Sequence, residues 1–168
     1  MISQNLQDAI NKQINLELQS SYLYLAMSAH CEGKNFKGFA SWLKLQSHEE
    51  YGHALKLYDL LNELGATVEL GAIPAPEAQF GSFKQVFEKV YEHEQMVTRS
   101  INALYALALE EKAFAAQPGI QWFVTEQVEE ENTAAEICHK FDIIQDSPVG
   151  LLALDRELGA RSPAGGGE

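Results

Sequence analysis

Four stripes of apolar residues run through this chain at helical spacing, and a glutamate interrupts each one: Glu17, Glu50, Glu94 and Glu130. The clearest stripe is Phe39, Leu43, Gln46, Glu50, His53, Leu57, Leu60, Leu64. Another is Phe83, Phe87, Val90, Glu94, Val97, Ile101, Leu104, and a third is Ile120, Phe123, Gln127, Glu130, Ala134, Ile137, Phe141. The weakest is Leu6, Ile10, Gln13, Glu17, Ser20, Tyr24. Steps of three and four residues trace one face of a helix, so these glutamates point where leucine and phenylalanine point. A carboxylate in a helix core is expensive unless something neutralises it. Four at one level require cations, and a buried dinuclear metal site is the expectation that follows.

The breakers divide the chain into helices over about 5–32, 36–64, 82–109 and 118–145, with a short fifth helix over 149–158. The fold class is therefore all-α, a four-helix bundle in one domain over 1–158, followed by a Gly- and Pro-rich tail over 159–168 expected to be flexible. The first turn, at 33–35, is short and makes the first two helices antiparallel. Glu17 and Glu50 are then level, because their midpoint falls at that hairpin tip. The connection over 65–81, about 17 residues, is long enough to run the length of a helix, so the second and third helices are parallel. All four carboxylates then converge in the middle of the bundle. The fifth helix carries Leu151, Leu152, Leu154 and Leu158, is too short to be stable alone, and is expected to be buried against symmetry mates. Leu23, Leu25 and Tyr105 are expected on outer faces as subunit contacts.

Glu50 and His53 form a Glu-x-x-His pair, with both side chains on one face of a turn. Hard carboxylates with one imidazole suit iron or manganese and also admit zinc. One metal is expected on Glu17, Glu50 and His53, and a second on Glu50, Glu94 and Glu130 with Gln127 nearby, so that Glu50 bridges. The second position lacks an imidazole and is the looser of the two, which suits a metal that is oxidised and passed on. Glu49, Glu126 and Glu129 sit beside the pair and are candidates for a third cation position. Tyr24, two turns from Glu17, is placed to donate an electron or to hydrogen-bond a ligand. A second Glu-x-x-His pair, Glu136 and His139, falls off its stripe and reads as surface.

The formal charge of −12 argues against nucleic acid and fits attraction of cations. No apolar run approaches the roughly 20 residues of a membrane span, and no secretory signal pattern opens the chain, so a cytoplasmic location is expected. Two isolated cysteines, Cys31 and Cys138, exclude a disulfide framework or a thiolate zinc site.

The strings around these positions resemble the ferritin family, specifically its bacterial non-haem type. They are Glu17 with Tyr24, the run from His48 through Glu49, Glu50, Tyr51 and Gly52 to His53, the pair His93 and Glu94, and the run from Glu126 to Glu131. The resemblance covers 1–158 and implies a ferritin-like bundle with the long crossover and fifth helix. It implies a ferroxidase site at Glu17, Glu50, His53, Glu94 and Glu130 with Gln127 nearby, and a third iron site at Glu49, Glu126 and Glu129 with Glu130. It also implies oxidation of Fe(II) by O2 or H2O2, a cage of 24 identical subunits, and storage as a ferric oxide mineral. The second helix has no methionine, so the haem found in a related branch is not expected. Gln117 and Ile120 stand where animal ferritins carry an acidic pair lining a channel. A di-iron oxygenase and a metal-free bundle with a polar layer remain the rival readings.

Overall fold

The computed structural model describes residues 2–145 and 147–162. Among them are five α-helices and no strand: α1 (Gln4–Gly33), α2 (Lys37–Glu63), α3 (Phe83–Glu110), α4 (Gln117–Ile144) and α5 (Pro148–Gly159). The helix starts follow local chemistry. Ser3 Oγ accepts the Leu6 N–H, satisfying one orphan donor of the first turn. Ser82 and Gln85 form a reciprocal capping box at α3. Pro118 opens α4, and Ser147 with Pro148 opens α5. The turn into α2 passes through Asn35 at φ 62°, a left-handed conformation that asparagine tolerates.

The start of α2 has no side-chain cap of its own. The Phe39 N–H instead donates to Asp155 Oδ1, so α5 supplies the cap from 116 residues away. The two helices cross at glycine. A Cβ on Gly38 would lie 1.7 Å from the Asp155 carbonyl oxygen, and one on Gly159 would lie 2.8 Å from the Gly38 Cα. Leu154 and Leu158 are buried within the chain by this crossing, alongside Trp42, Phe39 and Phe141. The expectation that symmetry mates bury the fifth helix is thereby corrected for its inner face; Leu152 alone of its leucines stays well exposed. Leu23 and Tyr105 are likewise half-buried against the core, while Leu25 is exposed. At the C-terminal end of α2, Leu57 and Leu61 turn inward, and Leu60 and Leu64 lie at the edge of the core.

The long crossover is a strap fastened to α1. Gln7, Asn11 and Asn15, spaced four residues apart, meet its backbone in succession. Gln7 Oε1 accepts from Thr67 N (3.1 Å). Asn11 donates to Thr67 O (2.9 Å) and accepts from Glu69 N (2.8 Å). Asn15 donates to Ala72 O (3.2 Å) and accepts from Gly71 N (3.1 Å). A segment without secondary structure thus satisfies part of its backbone polarity on one helix face. Phe80 pins the far end by burying its ring.

The α1–α2 and α3–α4 hairpins pack side by side into the bundle. The apolar core falls into two blocks. One contains Tyr24, Phe39, Leu43, Phe87, Val90, Ile137 and Phe141. The other contains Leu6, Ile10, Ile14, Leu57, Leu61, Val97, Ile101 and Phe123. The polar stripe residues lie between them on each of the four long helices. No helix among the described residues is long and apolar enough to cross a membrane.

Candidate metal centre

The layer between the two apolar blocks is built by all four long helices. α1 contributes Glu17, α2 Glu50 and His53, α3 Glu94, and α4 Gln127 and Glu130. Glu17 and Glu94 are 1% exposed and Glu50 2%. At that depth ionisation is opposed, and every one of the four carboxyls is pushed above its ordinary range. Burial is the largest cause for each. For Glu17 the charge of Glu50 adds to it, and for Glu50 the charges of Glu94 and Glu130 add. Glu130, nearer the edge of the layer, is raised to about 7 by burial and then by Glu94.

Ligand atoms of Glu17, Glu50 and His53 all lie within 4.8 Å of one another. This is the trio expected for the first metal. His53 Nδ1 is 3.6 Å from Glu50, and its ring stands edge-on to Trp122 and Phe123 with centroids 5.5 and 5.7 Å away. Glu17 Oε1 accepts from Gln13, whereas its Oε2 is buried with no hydrogen-bond partner among the described residues. A buried orphan carboxylate oxygen normally demands an explanation. Beside a second carboxylate and an imidazole, a divalent cation supplies one.

A second group of ligand atoms also comes together. His53, Glu126 and Glu130 present ligand atoms within 4.8 Å of one another, with His53 Nε2 4.0 Å from Glu126. Glu94 is hydrogen-bonded at both oxygens: Tyr24 Oη donates to Oε1, and Gln127 Nε2 donates to Oε2 at 3.2 Å. Tyr24 is buried, and burial followed by the Glu94 charge holds its phenol well above the usual range. It is therefore a hydrogen-bond donor at neutral pH. Of the residues expected beside the pair, Glu126 approaches His53, Glu129 is exposed, and Glu49 is ion-paired with Arg161.

Three amides orient the carboxylates. Gln13 donates to Glu17 at 2.8 Å and accepts from Ser100. Gln46 donates to Glu130 at 2.7 Å and to Glu50 at 3.3 Å. Gln127 serves Glu94. All three occupy stripe positions, which marked them as inward, but only Gln127 was assigned a place at the site from sequence. His93 went unassigned too. It is largely buried, its ring is held 2.7 Å from Ser20 Oγ, and burial lowers its pKa to about 4. Off the layer, Glu136 and His139 are exposed, as expected. Cys31 and Cys138 are free, with thiols pushed up to about 12 and about 11 chiefly by burial.

Residues 7–144 match the family model described as Ferritin, a ferritin-like domain. The chain belongs to the ferritin family. Within it, similarity runs to the bacterial non-haem type. A bacterial non-haem ferritin of Bacteroides fragilis is 43% identical over 161 residues, which are 96% of this chain and 100% of the relative. One of Staphylococcus aureus is 36% identical over 162 residues, 96% and 98% of the two chains. Among solved structures, an open pore ferritin from the hyperthermophilic archaeon Archaeoglobus fulgidus superposes with a TM-score of 0.95 at 42% identity. That match covers 96% of this chain and 100% of the other.

Proposed function

We propose that this chain oxidises Fe(II) at the layer between its two apolar blocks and stores the ferric product in a cage of its own copies. The observation that carries the reading is the buried trio Glu17, Glu50 and His53, whose orphaned Glu17 oxygen calls for a cation. Iron is the substrate here. Glu17, Glu50 and His53 take the first Fe(II), and Glu50, Glu94 and Glu130 with Gln127 nearby take the second, so that Glu50 bridges. Tyr24 and Gln127 hold Glu94 in place for that second position. Anionic oxygen ligands favour Fe(III) over Fe(II), so the residues supply the bias while the redox change belongs to the metal. Two Fe(II) give two electrons to O2, which leaves with two protons as H2O2. With H2O2 as oxidant, the same two electrons and two protons yield two waters.

Fe(III) holds its protein ligands against hydrolysis only briefly, and the mineral it forms precipitates unless enclosed. Enclosure by 24 subunits, a soluble cytoplasmic particle and the absence of haem are carried from the family. Exposed apolar side chains at Leu25, Tyr51, Tyr58 and Phe114 suit burial between copies. The test is anaerobic Fe(II) titration followed by oxygen, with particle size measured on the same sample. Rapid oxidation at two iron per chain, with hundreds of iron atoms kept soluble in a large particle, is the expected result. A monomer or dimer that precipitates after oxidising a few irons would overturn the storage reading.

A further inference from the structure

Arg161 lies two residues beyond α5, where the Gly38–Gly159 crossing and the Asp155 cap deliver the chain alongside α2. Its guanidinium then meets three residues on one line of that helix. The ring of Trp42 lies under it, 4.9 Å from the guanidinium carbon. One arm donates to Gln46 Oε1 at 2.9 Å, and another pairs with Glu49. Trp42, Gln46 and Glu49 sit at i, i+4 and i+7, so a single planar fork spans two turns.

The contact with Gln46 has a consequence inside the layer. A glutamine side chain has one accepting end and one donating end. With Arg161 donating to Oε1, Nε2 is left to face Glu130 and Glu50. The reversed amide would set its NH2 against a guanidinium and its carbonyl oxygen against two carboxylates. The contact with Glu49 acts on charge. Glu49, next to Glu50 on α2, is the carboxylate that the family resemblance assigns to a third cation, and a resident cation already pairs with it.

We propose that Arg161 is a positioning residue that stands in for a third metal at Glu49 and, by locking Gln46, sets Glu50 and Glu130 for the dinuclear site. The inference rests on the dinuclear reading above. It is tested by counting Co(II), whose binding needs no turnover.

The assembled full-length protein is titrated anaerobically with Co(II) by calorimetry and visible absorption. Fe(II) oxidation is then followed in stopped flow. Wild type takes two Co(II) per chain. Arg161→Ala takes a third, and the double variant Arg161→Ala with Glu49→Gln returns to two. Arg161→Lys keeps the charge at Glu49 but not the fork. It therefore stays at two Co(II), while the fast oxidation phase slows about fivefold, the equivalent of one hydrogen bond. Arg161→Met, which keeps a stem against Trp42, replaces the alanine variant if that variant does not assemble.

Three Co(II) on wild type, or two on Arg161→Ala with an unchanged fast phase, overturns the proposal. A lysine variant identical to wild type in both readings overturns the role assigned to Gln46. Wild type that binds two Co(II) yet leaves Fe(II) unoxidised fails the ferroxidase reading alone, and the Co(II) count still decides Arg161.

Discussion

Replacing Glu130 by glutamine tests the electrostatics of the layer directly. The Glu130 carboxyl is raised from an ordinary 4.5 to about 7, first by burial and then by Glu94. In the metal-free protein both states are protonated below about pH 4.5. From there to about pH 7 the unfolded chain is ionised while the folded one keeps its proton, so stability falls as pH rises. Above about pH 7 both are ionised and the loss is complete. A shift of about 2.5 units corresponds to roughly 3 kcal/mol. This is an upper figure, because a neutral neighbour lets Glu94 ionise more easily. Glu130→Gln removes the penalty and keeps an acceptor for Gln46. The apo variant should therefore melt close to wild type at about pH 5 and well above it at about pH 8. For a chain of this length the gain is roughly 6–12 °C. Calorimetric melts in chelator, at matched protein concentration, measure it. Saturating Zn(II) should reverse the order, because only wild type has the full ligand set. A difference between the two proteins that does not change over this pH range would refute the argument.

Glu50→Ala should abolish fast Fe(II) oxidation in stopped flow while the helices persist by circular dichroism, since the apo bundle loses a repelled charge along with a ligand. Metal binding should release protons from the raised carboxyls, seen as a dependence of calorimetric heat on buffer ionisation enthalpy; heats independent of buffer would count against a protonated cluster. Tyr24→Phe removes the donor that favours ionised Glu94, so that carboxyl should climb further and proton release per metal should increase. Gly38→Ala drives a Cβ into the backbone of Asp155, and overpacking of this kind costs about 1–3 kcal/mol. Its mark should be a lower melting temperature with early proteolysis of α5.

Helix number, the antiparallel first hairpin, the crossover and the convergence of Glu17, Glu50 and His53 were all legible, because stripes and turn lengths are local signals. The parts that were not legible depend on where side chains end. That Tyr24 and Gln127 hold Glu94 by both its oxygens does not show in the stripes. Gln13 and Gln46 were visibly inward, but a glutamine in a stripe does not say which carboxylate it serves. Gly38 and Gly52 look alike in the sequence. Gly38 admits a neighbouring backbone, and Gly52 is exposed with nothing near it. Arg161 was hidden inside a segment whose composition reads as tail. It is ordered because α5 is anchored at Gly38, a contact between residues more than a hundred positions apart. Residues 163–168, the remainder of that expected tail, lie outside the described residues.

The strap of Gln7, Asn11 and Asn15 and the two separate apolar blocks have a shared consequence for how such a protein lives. Each end of the bundle closes on its own hydrocarbon, and the crossover is fastened by amides, so none of the architecture waits for an ion. Folding and loading are therefore separate events. The empty bundle can fold in scarcity and stand ready, which a domain held together by its metal cannot do.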